Sequence, residues 1–146
     1  MNEVVDLLKN EIVYFKKLKS AIGDIHGHIH SLAVKTAHLY LAGKHPETQS
    51  WELSEKYGGG IDIAGKSDDG EMFVAAEVKT TYRSEKETLG RVQRSKIQED
   101  VERLLRTKAK HKYLFIIDNK NRNAIEGILK NTDENVQINL VNIFEC

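Results

Sequence analysis

The 146-residue chain has one cysteine, one proline, no net charge and no long apolar run. Each shortage excludes something. The lone Cys146 rules out an internal disulfide, and a reducing cytoplasm is the compartment that cysteine usage suggests. The lone Pro46 leaves no room for a Pro-rich linker, and no repeat or low-complexity tract divides the chain. One domain spanning 1–146 around a single core is therefore expected. The opening MNEVVDLLKNEIVYFKK is interrupted by charge every few residues, so neither a signal peptide nor a membrane span is expected there. A net charge of zero, taken alone, argues against a nucleic-acid partner.

The composition that remains, 40% hydrophobic and 30% charged, is that of a soluble globular protein. Its charge is unevenly placed. Residues 47–77 carry eight acidic side chains against two basic ones, whereas residues 83–112 carry ten basic against five acidic. An acidic stretch followed by a basic one suits a cation site beside a polyanion site, although a mixed-charge surface gives the same pattern.

Hydrophobic spacing orders the elements. Val4, Val5, Leu8, Ile12, Phe15 and Leu18 fall at helical intervals over residues 2–19. A second helix is expected from Asp24 or Ser31 to Ala42, closed by Gly43 and Pro46. The period then shortens. A short strand is expected near Trp51 and Leu53, and residues 61–81 read as two strands joined by a tight turn at Asp69–Gly70. Ile97, Val101, Leu104 and Leu105 mark a helix, KYLFIID a strand buried on both faces, residues 120–130 a helix and VQINLVNIF a last strand. The expected class is α/β, a mixed sheet flanked by helices.

The most conspicuous stretch is GDIHGHIH, residues 23–30. Its first five letters match a block that calcineurin-like metallophosphatases use to hold two metal ions. That block belongs at the tip of a buried strand and needs further GD and GNH blocks, and none follows here. As zinc ligands His26, His28 and His30 share a face only on a strand, and in a helix only His26 and His30 align. The stretch is read as the entrance to the second helix, with Asp24 or Ser31 as its N-cap.

A quieter constellation lies in the hairpin. Asp62 sits between Ile61 and Ile63 after Gly58, Gly59 and Gly60, and Glu77 and Lys79 flank Val78 on the next strand. Alternation puts Glu77 and Lys79 on one face, where Asp62 can join them. Two converging carboxylates make an oxygen site for Mg²⁺, and a lysine beside it can orient water or offset charge on phosphate. A surface ion pair across a strand edge is the plain alternative.

GIDI followed after a hairpin by AAEVK resembles the PD-(D/E)xK nuclease superfamily, which includes restriction endonucleases and Holliday-junction resolvases. The resemblance covers roughly residues 24–118. It implies a restriction-endonuclease-like α-β-β-β-α-β core, here with an extra N-terminal helix and a C-terminal helix and strand. It implies Asp62 and Glu77 as metal ligands, the Val78 carbonyl as a further ligand, Lys79 as the catalytic lysine and Gln98, or else Gln93, as a polar residue beside the site. Many members place a Glu on the first core helix, and none occurs here between Ile22 and Pro46, so His28, His30, Lys35 or Glu11 is left to replace it.

The expected function is a Mg²⁺-dependent DNA endonuclease, of restriction or structure-selective type, with Mn²⁺ able to substitute. Arg83, Arg91, Arg94 and Lys96 are expected to hold the DNA backbone, and a homodimer would let two sites cut two strands. The alternative is a non-catalytic DNA-binding or assembly subunit on a nuclease-like fold.

Overall fold

The computed structural model describes residues 2–54, 60–81, 89–132 and 136–146, with side chains from Lys9 onward. Three helices and five strands follow one another as α1 (Asn2–Lys44), β1 (Ser50–Leu53), β2 (Ile63–Lys66), β3 (Met72–Lys79), α2 (Arg91–Arg106), β4 (His111–Ile116), α3 (Arg122–Lys130) and β5 (Ile138–Asn142). The strands form one sheet in sequence order. β1, β2 and β3 pair antiparallel, while β4 and β5 run parallel to β3. The chain is thus of the mixed α/β class that its hydrophobic periods indicate.

The start of the chain differs from expectation. Two helices were expected on either side of residues 20–24, and a single 43-residue helix runs through both. GDIHGHIH is the middle of α1 and not an entrance to a helix, so neither Asp24 nor Ser31 acts as an N-cap. The physical reason is that nothing in the stretch breaks a helix. A glycine costs about 1 kcal/mol relative to alanine in a helix but keeps its N–H and carbonyl in the ladder. The first proline is Pro46, and α1 ends just before it, with the His45 N–H on the Leu41 carbonyl at 2.8 Å.

The sheet separates two apolar layers. On one face Ala33, Val34, Ala37 and Leu41 of α1 pack on Ile63, Val74, Ala76, Val78 and Phe115. On the other, Ile97, Val101 and Leu104 of α2 and Ile125 of α3 pack on Ala75, Leu114 and Ile116. Parallel neighbours require crossover connections, and α2 and α3 supply them on one side of the sheet.

Two glycines shape the strands ahead of the site. Gly70 adopts a φ of 78° in the β2–β3 turn, where the Asp69 carboxylate accepts from the Ser67 hydroxyl at 2.6 Å and from the Glu71 N–H at 3.1 Å. At Gly65 a Cβ would lie 2.8 Å from Trp51 and from the Thr48 methyl, so the indole can cover β2 only because that side chain is missing.

Candidate active site

Alternation along β3 continues past Ala75, so Glu77 and Lys79 project from the same face, toward α2. Asp62 stands one residue ahead of β2, next to the Ile63–Ala76 pair, which sets it alongside Glu77. Its main chain and side chain complete the sheet edge there. The Asp62 carbonyl accepts from the Ser54 N–H at 2.8 Å, and its Oδ2 accepts from the Val78 N–H at 2.8 Å. The Asp62 and Glu77 carboxyl groups also lie within hydrogen-bonding reach of each other.

The helices close this pair in. Arg103 of α2 donates through Nη1 to Glu77 Oε1 at 2.8 Å and lies 3.1 Å from Asp100 Oδ1. The Lys79 ammonium pairs with Asp100 Oδ2. From α1, His30 is buried with Nε2 3.7 Å from Asp62 Oδ1. Three buried carboxylates therefore meet two cations and an imidazole.

That balance leaves Glu77 short of compensation. Only 2% of it is exposed, and burial, followed by the charge of Asp62, pushes its carboxyl up to about 8. The hydrogen bond from Arg103 opposes the rise, and the charge of Asp100 adds to it. The same hydrogen bond raises Arg103 further, so the guanidinium remains charged. Two adjoining carboxyl groups that the fold does not supply with enough positive charge to ionise together are a donor set that fits a hard divalent cation such as Mg²⁺.

A cavity of about 500 Å³ opens at the C-terminal end of β3, where Lys79 links it to the carboxylate cluster through Asp100. Its polar lining comes from Lys79 at the end of β3, Thr80 and Thr81 after it, Gln93 and Lys96 of α2, and His26 of α1. The first turn of α2 holds no acidic residue, and Arg91, Arg94 and Lys96 are exposed along its first two turns. Basic side chains at a helix N-terminus oppose the helix dipole and cost stability unless an anion is present. The cavity mouth thus gathers positive charge where the sheet end holds negative charge.

Asp62, Glu77 and Lys79, read from the hairpin, come together in this site. Val78 presents its N–H to Asp62, while its side chain belongs to the core under α1. Gln98 lies elsewhere. It is exposed, with its amide nitrogen 3.4 Å from Glu102 Oε1, and it lines a groove against Ile128 and Thr132 of the α3 end. Gln93 reaches the cavity, although its amide oxygen accepts from the Gly90 N–H at 3.2 Å. Arg94 donates through Nε to the Leu89 carbonyl at 3.3 Å. Arg83 lies outside the described residues.

Among the replacements considered for a first-helix Glu, His30 is the one at the carboxylates. His28 and Lys35 are exposed. Glu11 is nineteen residues before His30 on one helix, roughly 28 Å away at 1.5 Å per residue, and does not reach the site. Asp100 and Arg103 were not anticipated.

A second group, His45, Glu47 and His111, brings one ligand atom from each side chain within 4.8 Å of the others. It sits at the start of β4, away from Glu77, since His111 pairs with Val74. Hydrogen bonding already explains the position of His45, whose Nε2 is 2.8 Å from the Tyr113 hydroxyl and whose Nδ1 is 3.5 Å from Glu47. Burial, with the charge of His45 next, lowers the pKa of His111. Among the described residues no helix is long and apolar enough to cross a membrane. No protein-family model, curated protein or solved structure matches the chain.

Proposed function

We propose that the chain is a Mg²⁺-dependent DNA endonuclease of the PD-(D/E)xK type, with Asp62 and Glu77 as the carboxylate ligands and Lys79 as the residue that positions the attacking water. The observation that carries this reading is the adjoining, buried Asp62–Glu77 pair, with Glu77 pushed up to about 8 by its surroundings. The order α1-β1-β2-β3-α2-β4 supports it, because the resemblance implies a restriction-endonuclease-like core of that order, which α3 and β5 extend.

When bound, Mg²⁺ supplies the Lewis acidity that makes a water nucleophilic at neutral pH and offsets charge on the leaving oxygen. The chain prepares the rest. The Val78 N–H holds one oxygen of Asp62 and Arg103 holds one oxygen of Glu77, which fixes both carboxyl groups where they would hold the metal. A DNA phosphate entering the cavity meets Lys79, Thr80, Lys96 and the N-terminal turn of α2. Lys79 then donates to water or phosphate, and Asp100 retains Arg103 as its partner. Water gives up a proton to solvent as its oxygen adds to phosphorus in line, the bond to the 3′ oxygen breaks, and the leaving oxygen takes a proton from solvent.

One observation favours the non-catalytic alternative. Lys79 and Arg103 already engage Asp100 and Glu77, a network that also makes sense as a closed structural cluster. Supercoiled and branched DNA, incubated with Mg²⁺ or Mn²⁺, separates the two. The wild type should cleave, and Lys79→Ala should still bind DNA but cleave at least about 100-fold more slowly. If both proteins bind and leave every substrate intact, the chain is a binding subunit.

A further inference from the structure

α1 is longer than its own domain can use. At 1.5 Å per residue its 43 residues span roughly 65 Å, yet the core packing that involves it begins only near His30 and Ala33. Before that point the described side chains are exposed apart from the partly covered Gly27, and many are large and apolar.

Apart from Ile12, Val13 and Tyr14, which lie at other positions, the exposed apolar side chains of α1 follow a heptad. Phe15, Ile22 and Ile29 occupy its first position, and Leu18, Ile25, Leu32 and Leu39 its fourth. All seven are exposed, Phe15 by 61%, Leu32 by 65% and Leu39 by 71%. The sequence carries the register back through positions 8 and 4, with Glu11 and Thr36 as its two polar members. The residues that hold α1 to its own sheet, Ala33, Val34, Ala37 and Leu41, belong to other positions of the heptad. A second stripe, exposed from Phe15 to Leu39 over more than three heptads, is the pattern of a helix that pairs with another helix.

We propose that two copies of this chain join through antiparallel α1 helices that cross between Gly23 and Asp24. The stripe is self-complementary in that arrangement. Ile22 meets Ile25 of the second copy, Leu18 meets Ile29 and Phe15 meets Leu32. The two polar members fall opposite each other as Glu11 and Thr36. In a parallel pair Glu11 would instead be buried against its own copy, two like charges at one layer. On the flanks of the antiparallel seam Lys35 runs beside Tyr14 and Lys19 beside His26, so no two lysines face each other.

The exposed surface of these seven residues is on the order of 700 Å² per helix, so a pair can bury up to about 1,400 Å², against the roughly 1,200–2,000 Å² of specific interfaces. The pairing rests on α1 alone and is independent of the nuclease reading. Its consequence for the site is that Lys19 of the second copy arrives beside His26, which lines the cavity next to Lys79.

The test uses the full chain with Cys146→Ser. Light scattering after size exclusion should give twice the 16.6 kDa chain mass at micromolar concentration. Ile25→Glu should halve that mass while keeping the circular dichroism of the folded domain, because Ile25 lies outside the core. Single-cysteine variants set the direction. Glu11→Cys and Thr36→Cys, refolded together and oxidised, should form a disulfide-linked pair, and neither should do so alone. A monomeric wild type overturns the proposal, including one that instead binds lipid vesicles through α1. Cross-linking by Glu11→Cys alone overturns the antiparallel register. If Ile25→Glu does not fold, the cross-linking result decides by itself.

Discussion

Glu77→Gln should make the protein more stable and inactive. Glu77 is 2% exposed, and burial and the charge of Asp62 move its carboxyl from an ordinary 4.5 to about 8. At about 1.36 kcal/mol per pKa unit, the folded state disfavours the ionised form by roughly 5 kcal/mol. At neutral pH Glu77 is mostly protonated in the fold and ionised in the unfolded chain. That difference costs about 3 kcal/mol relative to acid conditions. A glutamine never ionises, its amide oxygen can still accept from Arg103, and its NH₂ can donate to Asp62. The expected gain near pH 7 is about 2–3 kcal/mol, or roughly 4–12 °C in melting temperature for a chain of this size.

The pH dependence gives the argument its sign. Because the folded pKa is raised, the stability tied to Glu77 is fully present below about 4.5 and is lost as pH rises toward about 8. Urea unfolding followed by Trp51 fluorescence, between about pH 5 and pH 9, should show a wild-type stability that falls relative to Glu77→Gln across that window and runs parallel to it above. Other carboxylates titrate in both proteins, so the difference between the curves isolates this group. Mg²⁺ should raise the stability of the wild type more than that of the variant, since only the wild type offers an ionisable ligand there. A variant less stable than the wild type at pH 8, or two curves of equal slope from pH 5 to pH 8, would refute the reasoning.

Arg91→Ala, Arg94→Ala and Lys96→Ala together should weaken DNA binding at low salt and reduce the slope of log affinity against log salt by about 3, as read by fluorescence anisotropy over a salt series. A slope that does not change would remove these side chains from the phosphate contacts. Gly23→Ala and Gly27→Ala should each stabilise α1 by about 0.5–1 kcal/mol, because a Cβ at either position meets open space. Loss of helical circular dichroism in these variants would argue against a helix continuous through GDIHGHIH. Gly65→Ala should destabilise by about 1–3 kcal/mol in denaturant melts, since its Cβ would lie 2.8 Å from the Trp51 ring.

The strands were legible because their two-residue period is distinct from the helical one and because Asp69–Gly70 marks the turn between β2 and β3. Their register was not, since the turn alone, through Lys66 and Met72, would set Asp62 opposite Ala76. A bulge between Gly65 and Lys66 shifts the pairing by one residue, so that Ile63 meets Ala76 and Asp62 lies beside Glu77. The length of α1 was not legible, for two reasons. Glycine, aspartate and histidine around residue 23 weaken a helix locally, and local propensity alone suggests a break there. The apolar residues on either side of that weak point also belong to one continuous heptad, whose register appears only when residues 15–39 are read as a unit.

The carboxylate pair and lysine were legible on their strands, and their partners on α2 were not. The resemblance implies a glutamine of α2 beside the site, and Gln98 faces α3 instead. The informative residue was the one that interrupts the apolar stripe. Asp100 lies three residues after Ile97 and four before Leu104, both buried, so it is carried into the interior with them. A carboxylate on a helix face that packs against a sheet needs a cation, and Arg103 at i+3 is the nearest on that face. Lys79 across the interface is the second. A charge inside an otherwise apolar stripe therefore marks where α2 meets the polar end of β3. In a chain whose strands present a carboxylate pair and a lysine, that is also where further charged side chains meet the proposed site.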